Sequence, residues 1–452
     1  MSQSSHPFIS TPNGTLLKMS VPVLFSLIAE PLTGLADTAF VARLPGAAPV
    51  AALGVGTMAF TSIFWAFTFL GVGTQTEVAQ AEGRRDHEQA TRVASLASLM
   101  AAGIGTVLML IMLPFLEEIA SLLGGQGEVN TLACEYMRYR LLGAPAVLVT
   151  LACFGALRGV QDMRTPLYVA VGINVINILL DWILIFGHMG LPAMGVAGAA
   201  LASTISQWIG SGWALWVLSR KLGFTFNIRG AGIAKLIRIG GDLFIRTGSV
   251  LLFLSLCTRI ANLAGPNEGA AYQAIRQFFI FSALFLDAFA LTGQSLIGYF
   301  LGADDKHTAR KVAGLVCFWS VVTGCILCIG MLVGQDEVVW LLVPEQAVAV
   351  FIPAWWVVAL TQPVGSLSFA TDGIHWGTGD FRYLRNAMLI ASAIAATIVF
   401  FIGSIRVDDV LVYIWLATAV WACIRAGLGL IRVWPGVGNA PLGQQNEEAR
   451  EN

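Results

Sequence analysis

Apolar residues along the chain form long runs that are interrupted at regular intervals by short polar or charged breaks. Each run holds about 20 residues, enough for a helix to cross the roughly 30 Å hydrocarbon core of a membrane. The pattern therefore predicts an all-α membrane protein with twelve transmembrane helices. The predicted spans are residues 16–42, 49–77, 90–113, 130–157, 166–187, 194–219, 234–263, 269–298, 308–333, 347–374, 384–403 and 409–431.

Two of the predicted spans carry polar residues at positions i, i+3 and i+7, a spacing that places all three side chains on one helical face. A charge in the middle of a membrane costs roughly 2.5 to 3.5 kcal/mol, so an unpaired acid there is expected to face a cavity or to have a function. These polar residues are Glu30, Thr33 and Asp37 in the first span, and Asn174, Asn177 and Asp181 in the fifth.

The composition agrees with a membrane location, because 56% of the residues are hydrophobic and 12% are charged. Basic residues occur in every second break, for example at Arg84 and Arg85 and again at Lys306, Arg310 and Lys311. Since basic loops face the cytoplasm, both chain termini are predicted to be cytoplasmic. Nearly all of the seven cysteines lie in apolar runs, which argues against a disulfide framework.

Segments that lie half a chain apart resemble each other. The sequence QTEVAQAEGRRDHEQATRVAS from Gln75 matches QSLIGYFLGADDKHTARKVAG from Gln294, and a separation one residue shorter relates FGALRGVQDMR to DGIHWGTGDFR. The chain is therefore predicted to form two pseudo-symmetric six-helix bundles that arose by a parallel duplication. The predicted parts are a cytoplasmic amino-terminal segment (1–15), an amino-terminal lobe (16–219), a cytoplasmic linker (220–233), a carboxy-terminal lobe (234–432) and a polar tail (433–452).

The predicted orientation of the spans puts Asp37 and Asp181 at matching depth, in the outer half of the bilayer. Two carboxylates that face each other in a cavity of low dielectric can hold a proton near neutral pH. The same carboxylates with the amide oxygen of Asn177 also form an all-oxygen set that suits a sodium ion. As an alternative, the aspartates cap local kinks or pair with arginines. The candidate arginines are Arg43, Arg138 and Arg140.

Two prolines, Pro22 and Pro31, interrupt the first predicted span on either side of its middle. A proline inside a helix removes a backbone hydrogen bond and clashes with the preceding turn, so this span is expected to bend. Because the same span carries Asp37, a bend that one protonation state favours would link ion binding to a change of shape.

The second half contains a different set of charges in its predicted spans, in which acids and arginines are balanced. Asp242 and Arg246 are four residues apart and are predicted to form an ion pair within one helix. Structural pairing is therefore the expectation for this half. The members of this polar set are Asp242, Arg246, Arg259, Arg276, Asp287 and Asp372.

Several segments resemble the multidrug and toxic compound extrusion (MATE) transporters, in particular their DinF-type branch. They include EPLTGLADTAFVARL, GALRGVQDMRTP, VGINVINILLDWILIFGHMGLPAMGVAGAALAS and TDGIHWGTGD, and the resemblance extends from about Leu16 to Arg432. It implies twelve helices in two lobes around a V-shaped central cavity. It also implies antiport, in which amphipathic and often cationic compounds are exported against an inward proton or sodium gradient.

The resemblance also assigns roles to residues. Asp37 and Asp181 correspond to the acidic pair that binds the coupling ion, Asn177 to the amide beside them, and Pro22 to the proline at the bend. An acid at position 30 departs from the family pattern and would favour cationic substrates. The residues expected to line the substrate cavity are Glu30, Thr33 and Asn174. The carboxy-terminal positions that also match this branch are Asp242, Arg246, Asp287 and Asp372.

The sequence thus predicts a secondary active antiporter that exports amphipathic, cationic organic compounds in exchange for H⁺ or Na⁺ by alternating access. An alternative from the same superfamily is a flippase for a lipid-linked precursor. An enzyme is not expected, because the five histidines lack paired metal-ligand spacing and no nucleophile motif occurs. No cofactor is expected besides the transported ion. The expected partners are small amphipathic molecules and the lipid bilayer of the inner (cytoplasmic) membrane, with no nucleic acid, and the protein is expected to be monomeric.

Overall fold

The computed structural model describes residues 6–405 and 408–443, and within these residues all regular secondary structure is helical. The prediction of an all-α membrane protein is confirmed. Residues 1–5 of the predicted amino-terminal segment and residues 444–452 of the predicted polar tail lie outside the described part. All seven cysteines are free, in agreement with their positions in apolar runs.

The chain divides into two compact units, each of which is described by itself. The amino-terminal unit is Val21–Gly240, and the carboxy-terminal unit combines Met1–Ser20 with Gly241–Asn452. Short 3₁₀ helices occur at Leu113–Phe115 and Glu345–Ala347. The α-helices in chain order are α1 (Pro7–Ser10), α2 (Pro12–Val41), α3 (Ala48–Trp65), α4 (Phe69–Gly83), α5 (His87–Met112), α6 (Leu116–Leu122), α7 (Glu128–Leu141), α8 (Ala144–Gly159), α9 (Arg164–Phe186), α10 (Val196–Lys221), α11 (Ile233–Ala264), α12 (Pro266–Gly302), α13 (Lys306–Val333), α14 (Gln335–Leu342), α15 (Val348–Thr378), α16 (Phe381–Ser404) and α17 (Val410–Val433).

Each of the twelve predicted spans lies on helical structure, although the spans differ in how apolar they are. Among the described residues, 10 helices are long and apolar enough to cross a membrane. An eleventh candidate is the pair α7 and α8, which meet at a bend of 49° within the fourth predicted span. The sixth predicted span coincides with α10, which is rich in alanine, glycine and serine and is not among these candidates.

Helix α2 belongs to both units, because the division between them falls after Ser20. The residues before this point pack in the carboxy-terminal unit: Phe8 and Leu16 are fully buried in a cluster that contains Phe300 of α12. The Ser20 hydroxyl also donates a hydrogen bond of 3.1 Å to Thr292 of the same helix. Apolar packing thus joins the start of the chain to the carboxy-terminal unit, whereas the predicted lobes were divided at the linker 220–233.

The two units repeat one close helix contact. In the amino-terminal unit, a Cβ atom added to Gly155 of α8 would lie 2.2 Å from the Gly71 carbonyl oxygen of α4. In the carboxy-terminal unit, a Cβ atom added to Gly373 of α15 would lie 2.3 Å from the Ala290 carbonyl oxygen of α12. Glycine lets two membrane helices approach until their backbones touch. These residues correspond under the internal sequence repeat, so the duplication extends to the packing of the helices.

Four turns between consecutive helices also share one geometry. In each turn a residue with positive φ ends a helix, and the N–H of the aspartate that follows bonds to the carbonyl five residues earlier, as in a Schellman motif. The positive-φ residues are Arg85 (63°), Gln161 (64°), Asp304 (59°) and Gly379 (78°). The corresponding hydrogen bonds are Asp86 to Ala81, Asp162 to Leu157, Asp305 to Phe300 and Asp380 to His375.

Candidate functional site

Asp37 of α2 and Asp181 of α9 lie next to each other inside the amino-terminal unit. Their side chains are 6% and 0% exposed, and their carboxyl groups lie within hydrogen-bonding reach of one another. The periodicity of α9 explains the placement of Asp181, because Asn177 one turn earlier is also fully buried, while Leu179 and Trp182 on other faces are exposed. The structure therefore brings the predicted acidic pair together.

The side-chain amide of Asn177 bridges the two carboxyl groups. With its nitrogen directed at the acids, it donates to Asp37 Oδ1 at 3.0 Å and to Asp181 Oδ2 at 3.2 Å, while its oxygen accepts from the Ser203 backbone N–H at 3.2 Å. We assign this orientation because it satisfies both ends of the amide, whereas the reversed one sets the amide oxygen against the carboxylates. The Ser203 hydroxyl completes the cluster by donating to Asp37 Oδ2 at 3.3 Å.

One acceptor of this cluster is left without a donor. Asp181 Oδ1 is buried and accepts no hydrogen bond within the described part of the chain. Neither aspartate takes part in a salt bridge among the described residues, so the alternative of arginine pairing is not observed. Arg140 acts on Asp37 electrostatically, but its guanidinium group stacks 3.9 Å above the Phe60 ring. A buried carboxyl oxygen without a donor is suited to binding a cation.

The other polar residues of α2 and α9 mainly contact the backbone of α2. Asn174 Nδ2 donates to the Ala29 carbonyl at 2.8 Å, and the Thr33 hydroxyl donates to the same oxygen at 3.2 Å. Glu30 is exposed, with Arg140 acting on it electrostatically. Helix α2 continues through Pro22 and Pro31. The predicted polar face thus divides into a buried cluster around Asp37 and Asp181 and a contact with the backbone near a proline.

A second polar network lies in the carboxy-terminal unit and is centred on Asp372 of α15. Its Oδ2 atom accepts from Arg246 Nη2 of α11 and, at 2.7 Å, from Arg425 Nη2 of α17. Asp242 accepts instead from Arg385 Nη1 of α16 at 2.6 Å. The predicted ion pair between Asp242 and Arg246 is therefore wrong, because each residue finds its partner on another helix of the same unit.

Asp287 of α12 completes the predicted carboxy-terminal set. It is half-buried, and Asp372, Arg246 and Arg425 all act on it electrostatically. Arg425 was missed by the sequence prediction, although a lone arginine within an apolar run is a signal of the same kind as Asp181. Its guanidinium group also lies 4.2 Å from the centre of the Trp421 ring. Ser203 was missed too, because serine is common in an alanine-rich membrane helix and gives no distinctive pattern.

The family comparison agrees with this arrangement of two related halves. The MatE family model matches residues 22–183 and residues 247–403. The chain belongs to the MatE family. The two matched segments begin in the first and seventh predicted spans, as an internal duplication requires. MatE proteins are transporters, so this chain is a membrane transporter.

Individual relatives match the chain over most of its length. Protein DETOXIFICATION 44, chloroplastic, of Arabidopsis thaliana is 29% identical and covers 84% of this chain and 75% of that protein. DNA damage-inducible protein F of Escherichia coli (strain K12) is 27% identical and covers 94% of this chain and 93% of that protein. A crystal structure of MATE in the bent conformation has a TM-score of 0.85 at 21% identity, covering 93% of this chain and 94% of that one. The predicted membership of the MATE family and the predicted fold class are thus confirmed.

Proposed function

We propose that this MatE-family transporter is a secondary antiporter of the inner (cytoplasmic) membrane that exports amphipathic, cationic organic compounds in exchange for an ion bound by Asp37 and Asp181. The observation that carries the proposal is the buried pair of carboxyl groups, bridged by the Asn177 amide, with Asp181 Oδ1 lacking a donor. Two buried acids at this distance repel each other unless a cation lies between them or on one of them. The site is therefore built to take up and release a cation.

The orientation of Asn177 supports a proton as the coupling ion. Both of its amide hydrogens face the carboxyl groups, and its oxygen is occupied by the Ser203 N–H. A sodium ion bound by the carboxylates together with that oxygen, the set expected from the sequence, would require the amide to turn over. A proton requires no such change, since a protonated carboxyl group is itself a hydrogen-bond donor to its neighbour. We therefore propose a proton shared by the two carboxyl groups as the coupling ion.

The proposed substrate class follows from the charge of the exposed face of α2. Glu30 offers an exposed carboxylate on the same helix as Asp37. An exposed acid on an otherwise largely apolar helix suits a molecule with a positive charge and an apolar body. Uptake of a proton at Asp37 and Asp181 would remove negative charge from this helix and so favour release of such a substrate.

The test is transport by the purified full-length protein in proteoliposomes, with ethidium as the cationic probe. A pH gradient and a sodium gradient are imposed in separate experiments on the wild type, on Asp37→Asn and on Asp181→Asn. Glu118→Gln, which removes an exposed acid of the same unit, serves as the control. We expect uptake driven by the pH gradient in the wild type and the control, and its loss in both aspartate variants. Undiminished transport in both aspartate variants would contradict the site, and transport driven by sodium alone would contradict the proton.

A further inference from the structure

Helices α9 and α10 pack closely against each other in the amino-terminal unit, and they run in opposite directions. A Cβ atom added to Gly198, near the start of α10, would lie 2.7 Å from the Leu184 backbone near the end of α9. A Cβ atom added to Gly172 of α9 would lie 2.7 Å from the Trp213 ring of α10. Each step toward the start of α9 therefore corresponds to a step toward the end of α10, so these two helix ends meet.

A salt bridge joins the two helix ends. Lys221 Nζ, on the last residue of α10, lies 2.6 Å from Asp162 Oδ2, two residues before α9 begins. Arg164 is the first residue of α9 and Arg220 directly precedes Lys221, so both arginines belong to the same group of four, the basic corner. Both arginines are exposed, and neither forms a salt bridge among the described residues. Because Asp162 balances only Lys221, the basic corner has an excess of positive charge.

The acids of the neighbouring helix α5 do not cancel this charge. Helix α5 reaches the end of α10 through a hydrogen bond from the Thr91 hydroxyl to the Leu222 carbonyl. Its acid Glu88 forms an ion pair with Arg92 of the same helix. Asp86, before the start of α5, directly follows two arginines in the sequence. The exposed charge at this end of the unit therefore remains positive.

Exposed aromatic rings border the basic corner on the side of the predicted membrane spans. Tyr168 lies one turn after Arg164, Trp216 lies one turn before Arg220, and the two rings are 56% and 57% exposed. The Arg220 guanidinium group lies 5.8 Å from the centre of the Trp216 ring. Both rings fall within the fifth and sixth predicted spans, whereas both arginines lie just outside them. Tyrosine and tryptophan in such positions are typical of the boundary between a membrane and water.

We propose that the basic corner binds an anionic phospholipid, with Arg164 and Arg220 holding the headgroup phosphate and Tyr168 and Trp216 contacting the lipid next to it. A guanidinium group can pair with a phosphate through two parallel hydrogen bonds. Basic pockets between membrane helices on the cytoplasmic side bind anionic headgroups, and this end of the helices is the one predicted to face the cytoplasm. Exposed rings within the predicted spans favour a membrane lipid over a soluble anion.

Native mass spectrometry of the purified full-length protein in detergent tests the proposal. Phosphatidylglycerol is the anionic probe, and phosphatidylcholine with the same acyl chains is its zwitterionic counterpart. We expect phosphatidylglycerol to bind on the order of tenfold more tightly, because each arginine near an anionic headgroup contributes about fivefold. Equal binding of the two lipids would overturn the proposal. Inorganic phosphate at the same concentration should not displace the lipid, and displacement would indicate a site for a free anion instead.

Single variants locate the site. Arg164→Gln and Arg220→Gln should each weaken phosphatidylglycerol binding about fivefold. Arg84→Gln, which removes an exposed arginine elsewhere in the same unit, is the matched control and should leave binding unchanged. Equal weakening in all three variants would show that only the overall charge attracts the lipid, and the assignment to the basic corner would then be wrong.

Asp162→Asn tests the proposal in the opposite direction. It leaves Lys221 without its carboxylate, so a third basic group can reach the headgroup and phosphatidylglycerol binding should become about fivefold tighter. Impaired folding would not produce tighter binding, and unchanged or weaker binding would overturn the assignment. Asp37→Asn should bind phosphatidylglycerol like the wild type even though we expect it to lose proton-driven transport, so the two proposals can fail separately.

Discussion

Asn174 of α9 donates a hydrogen bond of 2.8 Å to the backbone carbonyl of Ala29 in α2. That carbonyl lies two residues before Pro31. Because proline has no backbone N–H, the helix lacks one hydrogen-bond donor at Pro31. The helix that carries Asp181 is thereby tied to the helix that carries Asp37, at a point where the backbone of α2 is weakened. Both helices belong to the amino-terminal unit, so this contact joins the same two helices that bring the aspartates together.

Replacing Asn174 by alanine should weaken this link without unfolding the protein. Hydrogen bonds between membrane helices contribute on average about 0.6 kcal/mol, so we expect a small decrease in thermal stability. We expect a larger decrease in proton-driven ethidium transport, because the carboxyl groups of Asp37 and Asp181 are no longer held at their relative positions. Thermal unfolding and proteoliposome transport measure the two effects. Wild-type transport in Asn174→Ala would show that the contact only packs the helices.

Replacing Gly155 by alanine should destabilise the protein, and replacing Gly373 by alanine should do so to a similar extent. In both cases the added methyl group would overlap a backbone carbonyl oxygen at 2.2 or 2.3 Å, and backbone cannot move aside cheaply. Overpacking of this kind costs about 1 to 3 kcal/mol. Gly103→Ala and Gly314→Ala are the matched controls, since a Cβ atom at either position meets nothing within 4 Å. Thermal unfolding of the four variants checks the expectation, which fails if all four behave alike.

The sequence was sufficient for the fold because hydropathy and internal repetition are both read directly from residue types. Matches around Gln75 and Gln294 pointed to two related halves before any contact was known. The other pair of matched segments contains Gly155 and Gly373, and only the structure shows that these glycines let two helices touch. The unusual assignment of Phe8 and Leu16 to the carboxy-terminal unit was not predictable, because hydropathy shows that a residue is apolar but not which cluster buries it.

The candidate site was predictable to the extent that its residues are rare in membrane helices. Asp37 and Asp181 stand out because a buried acid is costly. Ser203 does not stand out, and the direction of the Asn177 amide depends on that serine. The prediction for Asp242 was wrong because it used only the spacing of residues along one helix. That spacing places Arg246 within reach of Asp242, but it does not show that Arg385 of another helix is closer. A single sequence does not show which residue from a distant part of the chain pairs with a given side chain.

Acidification should weaken a salt bridge next to the turn between α8 and α9. Burial alone would raise the pKa of Asp162, but Lys221 at 2.6 Å and the hydrogen bonds from Thr165 hold that pKa below its ordinary value. A carboxylate whose pKa is lower in the folded state stabilises the fold above its ordinary pKa. This stabilisation is lost as the pH falls through the lowered value.

Asp162→Asn should therefore lower the melting temperature at neutral pH and reduce its dependence on pH in the acidic range. Asparagine can still accept the backbone hydrogen bonds at this helix start, so a lower melting temperature would result from the loss of the negative charge. Asp305→Asn is the matched control, because Asp305 caps α13 in the same way, accepting from the Thr308 N–H at 2.9 Å. Melting curves measured from neutral pH down to about pH 3 test this prediction. Parallel pH profiles for the wild type and Asp162→Asn would contradict the prediction.

Removing the carboxylate of Asp372 should be among the most damaging single changes in the carboxy-terminal unit. Asp372→Asn leaves Arg246 and Arg425 buried without the charge they share, and an uncompensated buried charge costs about 3 to 5 kcal/mol. Asp242→Asn should cost less, because its partner Arg385 has a side chain that is 27% exposed and remains partly hydrated.

Adding Arg425→Gln to Asp372→Asn removes one of the two uncompensated charges, so the double variant should be more stable than the sum of the single effects predicts. Denaturant unfolding of the wild type, the single variants Asp372→Asn, Asp242→Asn and Arg425→Gln, and the double variant measures these differences. If Asp372→Asn is no less stable than Asp242→Asn, the shared carboxylate does not hold the three helices together.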